Sequence, residues 1–218
     1  MRSPAFWSFF DGEAAPKLSH RAETFRKAFE YLDGFDRPVG IVETGCMRQK
    51  DNWQGDGQST LLFDRYVGEQ PGSIVYAVDR DPVVIALCKS LVSDSVSLHT
   101  ADSIRFLAVL AQARPSDLPS VDLLYLDSVD VNMLAPLPSA AHHLKELLAA
   151  VPLLSPQTLV MVDDSPSSLF GYVDGQKYVP LGVPRVGGKG LLIAEYAQAV
   201  GVAPAFAAYQ CGWVGLGR

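Results

Sequence analysis

Nothing in this sequence marks a disulfide framework, a membrane span or a nucleic-acid surface. Its cysteines, Cys46, Cys88 and Cys211, are odd in number and far apart, with no C-x-x-C pair. That pattern suits a reducing compartment rather than a stapled secreted domain. No run approaches the roughly 20 consecutive apolar residues that a bilayer span needs. The aromatic residues 1–11 lack a continuous apolar core followed by small residues, so no secretory leader is expected and cytoplasmic residence is the default. A formal net charge of −6 argues against a nucleic-acid partner, whose phosphates call for a basic face. Internal repeats and low-complexity tracts are missing as well.

What is there is globular. With 48% hydrophobic and 19% charged residues over 218 positions, one domain with a full core and modest additions is expected. The organising stretch is 39–60. Val39-Gly40-Ile41-Val42 is a short apolar run ending in Glu43-Thr44-Gly45, and after a polar loop Gly57-Gln58-Ser59-Thr60 leads into Leu61-Leu62-Phe63. This reads as strand, glycine-bearing turn and helix, with Gly45 and Gly57 leaving room for close approach. In an open α/β sheet, that edge is where ligands bind.

Further apolar runs repeat the theme. Strands are expected at 74–78, 96–100, 121–126 and 158–162, each alternating with a helical pattern, the rhythm of βαβ units and a parallel sheet covered on both faces. Before the first strand, residues 1–18 read as irregular. Ser19 is a plausible N-cap for a helix over 19–32 with Ala22, Phe25, Phe29 and Leu32 on one face. Residues 1–36 are thus a helical segment packed on the domain, with a cap over the site or a homo-oligomer surface as the other uses. The main domain is 37–218. A proline- and glycine-punctuated loop over 165–187, carrying Tyr172, Lys177, Tyr178 and Arg185, has the length of a lid, and a helix at 191–200 with two short strands closes the chain. The glycines around Lys189 look like a phosphate loop but lack its preceding strand and its following Ser or Thr.

The chemistry gathers at strand ends. Glu43, Asp79, Asp102, Asp127 and the pair Asp163-Asp164 each follow an apolar run, and parallel strands bring such ends to one rim. Carboxylates crowded there repel one another, so the ligand should bring positive charge, hydrogen-bond donors or a metal. S-adenosylmethionine meets this demand with a ribose diol, an adenine amine and two cationic centres. A dinucleotide pyrophosphate would want a compact G-x-G-x-x-G turn, which the long separation of Gly45 from Gly57 does not provide.

With these residues in place, the chain resembles the class I S-adenosylmethionine-dependent methyltransferases. The matching positions are Glu43-Thr44-Gly45 with Cys46, Gly57 and Ser59 on the methionine side, Asp79 with Arg80 at the ribose, Asp102-Ser103 at the adenine, and the fourth-strand motif ending at Asp127. The resemblance implies a Rossmann-like, doubly wound, seven-stranded, mostly parallel sheet with its last strand antiparallel. Within that superfamily, Arg48 after Glu-Thr-Gly, then Asp127 and Asp163-Asp164, is similar to the metal-dependent O-methyltransferases of the macrocin and caffeoyl-coenzyme A types. That likeness implies Mg²⁺ held by Asp127, Asp163 and Asp164, methyl transfer to a hydroxyl of a small-molecule acceptor, and Asp127, Asp130 and His142 as catalytic candidates. Asp130 lies three positions after Asp127, where the macrocin pattern has its second acid two positions on. His142 with Glu146 reads as solvated, and Ala141, Leu144, Leu147, Leu148 and Val151 as the buried stripe of their helix. The alternatives are an NAD-dependent oxidoreductase and a non-catalytic nucleotide-binding module.

Overall fold

All five residues of β1 (Gly40–Thr44) are buried, as in a central strand covered on both faces. In the computed structural model, which describes residues 3–167, the strands 170–173 and 177–180 as backbone, and 185–217, β1 pairs in parallel with β2 (Ile74–Asp79) on one side and β4 (Leu123–Leu126) on the other. Beyond β2 lies β3 (Val96–Thr100), and beyond β4 lies β5 (Leu159–Val162), both parallel. A separate antiparallel ribbon joins β6 (Phe170–Val173) to β7 (Lys177–Pro180). The sheet is completed by β8 (Pro204–Ala207) and β9 (Cys211–Val214), in the order β3-β2-β1-β4-β5-β9-β8, with β9 antiparallel to both neighbours. The expected seven-stranded, doubly wound architecture is the one found.

Alternation along the strands divides the core. Ile41, Val75, Ala77, Tyr125 and Met161 face one layer, with α1 (Pro4–Phe9), α3 (Ala22–Leu32), α5 (Ser59–Gly68) and α6 (Pro82–Lys89). Val42, Val78, Leu124, Leu126 and Val160 face the other, with α7 (Ser103–Gln112), α8 (Leu137–Ala150) and α9 (Leu191–Ala199). Asp81 N-caps α6 through the Val83 amide, and Pro82 takes the first turn.

Three local expectations are corrected. Residues 4–18 are helical rather than irregular: α1 continues through a wide turn at Phe10–Ala14 into α2 (Ala15–Leu18). Its aromatics carry no simple helical stripe but stack into the core, Phe6 lying 4.7 Å from Phe29 and 5.0 Å from Tyr66 between ring centroids. Ser19 is not a cap, since its φ of +54° belongs to the bend between α2 and the short turn Ser19–Arg21 that precedes α3. On α8 the buried face is His143, Glu146, Leu147 and Ala150, while Leu148 is exposed. Glu146 is therefore buried, not solvated, because Ser128 and His142 supply polar partners inside.

The polar loop after β1 holds its own helical turn, α4 (Trp53–Asp56), N-capped by Asn52. Trp53 packs into the core with Lys17 of α2 over its ring, anchoring this loop to the amino-terminal segment. Parts of the expected 165–187 lid, with the side chains of Tyr172, Lys177 and Tyr178, lie outside the described residues.

Candidate functional site

Strand order reverses between β1 and β4, and the chain is drawn together there. The Asp127 amide donates to the Thr44 carbonyl at 2.9 Å, and the Gly45 amide to Val78 at 2.9 Å. Gly45 has φ +80°, and a Cβ on it would stand 2.5 Å from the Asp127 carbonyl. The glycine is thus demanded by the approach of the β4 end. At Gly57, φ +69°, a Cβ would meet the Arg21 side chain at 3.2 Å.

On the β1–β2 side, Asp79 is fixed by two backbone donors: the Cys46 amide at 3.2 Å on Oδ2 and the Asp81 amide at 2.8 Å on Oδ1. Each oxygen keeps a lone pair for a ligand. Arg80 beside it is exposed. Glu43 is wholly buried, its Oε1 accepting from Ser59 and its Oε2 without a partner among the described residues. Burial raises its carboxyl well above the ordinary value, against the pull of Ser59 and Thr60. Cys46 is buried, and its contact with Cys88, then burial, push its thiol up, the opposite of an activated nucleophile.

Asp102 is exposed and N-caps α7 through the Arg105 amide at 2.9 Å. Ser103 Oγ lies 3.1 Å from His142 Nε2, which in turn lies 3.4 Å from Glu146 Oε1. His142 is thereby tied between α7 and the loop after β4, where the Ser128 hydroxyl donates to Glu146 at 2.6 Å. Asp130 is exposed and held by Arg48 Nη1 at 2.9 Å, and that hydrogen bond keeps its carboxyl below the ordinary value. Arg48 also reaches Asp56, whose Oδ2 accepts the Arg48 and Gln49 amides at 2.7 and 3.1 Å.

The structure brings Asp127, Asp163 and Asp164 together, as expected, with one oxygen of each within 4.8 Å of the others. What it adds is the charge between them. Lys189 Nζ contacts Asp127 and lies 3.1 Å from Asp164, while Arg21 lies 3.0 Å from Asp163 and 3.1 Å from Asp164. The Tyr209 hydroxyl donates to Asp164, and the Gln210 amide donates to Asp163 and to the Tyr125 hydroxyl oxygen, each at 2.9 Å. Burial would raise Asp163, but Arg21 and then Lys189 outweigh it and hold the carboxyl below its ordinary value. Burial works against the Lys189 ammonium too, yet Asp127, Asp164 and Asp163 together raise its pKa. Burial raises the Asp127 carboxyl well above its ordinary value, against the pull of Lys189.

Arg21, Lys189, Tyr209, Gln210 and Asp56 were not singled out as site residues. Only Lys189 carried a signal, its bracket of glycines at 187, 188 and 190. Gly188 serves close backbone packing: at φ +54°, a Cβ on it would lie 1.8 Å from the Asp164 carbonyl.

No protein-family model and no curated relative matches the sequence. Among solved structures, the sugar N-methyltransferase KedS8 from a Streptoalloteichus species is similar with a TM-score of 0.51 at 11% identity, over 98% of this chain and 94% of that one. DhpI, solved with SAH, gives 0.46 at 13% identity, over 97% and 93%. LepI, solved with SAM, gives 0.49 at 12% identity, over 86% of this chain and 45% of the LepI chain. At such identities the likeness is one of fold. The chain has a Rossmann-like, doubly wound fold, similar to that of KedS8.

Proposed function

We propose that this protein is an S-adenosylmethionine-dependent methyltransferase acting on a hydroxyl of a small molecule. The observation that carries the reading is Asp79: a carboxylate at the end of β2, oriented by two backbone amides beside the Gly45 turn, with no ion pair among the described residues. An acceptor pair fixed in that way fits a vicinal diol. Glu43, Thr44, Gly45, Cys46, Gly57 and Ser59 form the wall on the methionine side. Asp102 and Ser103 stand where the adenine would be held, and Arg80 flanks the ribose.

The cofactor supplies an electrophilic methyl carbon on a sulfonium. The chain's own contribution is orientation and water exclusion. Asp127, next to the Gly45 turn, is the candidate closest to the reacting end. His142 and Asp130, the other catalytic candidates, are held by Ser103 with Glu146 and by Arg48 respectively, which suits them to positioning the loop after β4. The 165–187 segment and residues 1–36 would enclose the acceptor.

Mg²⁺ assistance does not fit the donor set as folded. A divalent ion needs open oxygen lone pairs at short range, and Lys189 and Arg21 already sit on them. Titration calorimetry with S-adenosylmethionine and with NAD tests the reading: binding of the first alone supports it, and binding of NAD alone rejects it.

A further inference from the structure

The carboxylates of Asp127, Asp163 and Asp164 are spaced like ligands of an oxygen-bound ion, yet the position among them is filled by the chain itself. Lys189 Nζ bridges the ends of β4 and β5 through Asp127 and Asp164, and its side chain is only 1% exposed. We infer that Lys189 is a built-in replacement for a divalent cation: the protein takes no metal at this cluster, and loss of the lysine alone frees Asp127 and the Asp164 Oδ2 for one while Arg21 stays on Asp163 and the Asp164 Oδ1.

Delivery of the ammonium is built into the backbone. Asp164 adopts a left-handed conformation, φ +43°, and its carbonyl accepts the Lys189 amide at 3.1 Å. Gly188 passes so close to that carbonyl that a Cβ would lie at 1.8 Å, and a Cβ on Gly190 would meet Ser165 Oγ at 2.6 Å. The 188–190 turn is therefore pressed onto the strand end, which sets the Lys189 backbone beside Asp164.

Charge argues the same way. With Lys189 present, two cations lie among three carboxyl groups, of which Asp127 is pushed well above its ordinary value by burial in spite of Lys189, so the cluster is close to balance. Without it, one guanidinium faces three carboxylates, an imbalance suited to a divalent ion. Geometry agrees, because Mg²⁺ requires oxygens at about 2.0–2.1 Å, and an ammonium stands where that sphere would close.

The test needs neither cofactor nor acceptor, so it stands apart from the methyltransferase reading. Mn²⁺ binding is followed by electron paramagnetic resonance on the full chain, wild type and Lys189→Ala, with Asp127→Asn as the control for surface sites. The expected result is no saturable Mn²⁺ binding by wild type that Asp127→Asn removes, and one new site in Lys189→Ala that the added Asp127→Asn abolishes. Wild-type binding that is lost in Asp127→Asn would overturn the inference, as would a folded Lys189→Ala that binds nothing. If Lys189→Ala does not fold, the wild-type arm decides, supported by thermal unfolding that millimolar Mg²⁺ and chelator leave unmoved and overturned by a Mg²⁺-dependent rise.

Discussion

Asp79 and Asp163 both end strands of the same sheet, and their partners divide their work. Asp79 is held by amides and faced by no cation among the described residues, whereas Asp163 is buried against Arg21. Replacing Asp79 by Ala should weaken S-adenosylmethionine binding by about tenfold or more, ~1.4 kcal/mol or above, with little change in unfolding midpoint; calorimetry and circular dichroism read the two. Replacing Arg21 by Ala should do the reverse, costing about 3–5 kcal/mol in urea unfolding, since a buried carboxylate loses its partner.

His143 sets a pH dependence of its own. It is fully buried, with Nδ1 2.8 Å from the Ser139 carbonyl and Nε2 3.9 Å from Glu146 Oε2 but without a hydrogen-bond partner among the described residues. Burial outweighs Glu146 and lowers its pKa from 6.5 to about 4. The unfolded chain takes up this proton first, so the group's contribution is whole above pH 6.5 and is lost as pH falls toward 4. The loss from this residue should approach about 3 kcal/mol. Urea unfolding across that range reads it, and His143→Leu should flatten the slope; an unchanged slope would refute the assignment.

At the scale of elements, the strands were legible because each apolar run is bounded by a turn and an acid, and the helices between them because a helical pattern alternates with those runs, whereas the caps at Asp81 and Asp102 were not read. The amino-terminal helices were not. Phe6, Trp7 and Phe10 lie on a helix whose wide turn breaks the 3.6-residue period, so their burial comes from tertiary stacking that a periodicity reading cannot see. Phe6→Ala should cost about 3–5 kcal/mol, measured by denaturant unfolding, and would show how firmly the segment is held. The buried polar face of α8 was missed for a related reason. Glu146 looks solvated by residue type, and only Ser128, arriving from the loop after β4, together with His142 one turn earlier on α8, makes its burial tolerable.

On the scale of the whole molecule, the rim of strand ends was legible, and its charge was not. Acids could be read at each strand end, but the cations that meet three of them come from positions 142 residues before Asp163 and 62 residues after Asp127. Only the fold joins them. Negative charge without a cation partner is consequently concentrated on the β2–β3 side, with Asp79 and Asp102, rather than spread along the rim. No helix among the described residues is long and apolar enough to cross a membrane.

The most direct test is a calorimetric titration of the wild-type chain and of Asp79→Ala with S-adenosylmethionine. One site per chain in the wild type, weakened at least about tenfold in the variant, is the expected result. Equal affinity in the two proteins, or no binding to the wild type at all, would contradict the assignment of the β1–β2 edge as a methyl-donor site.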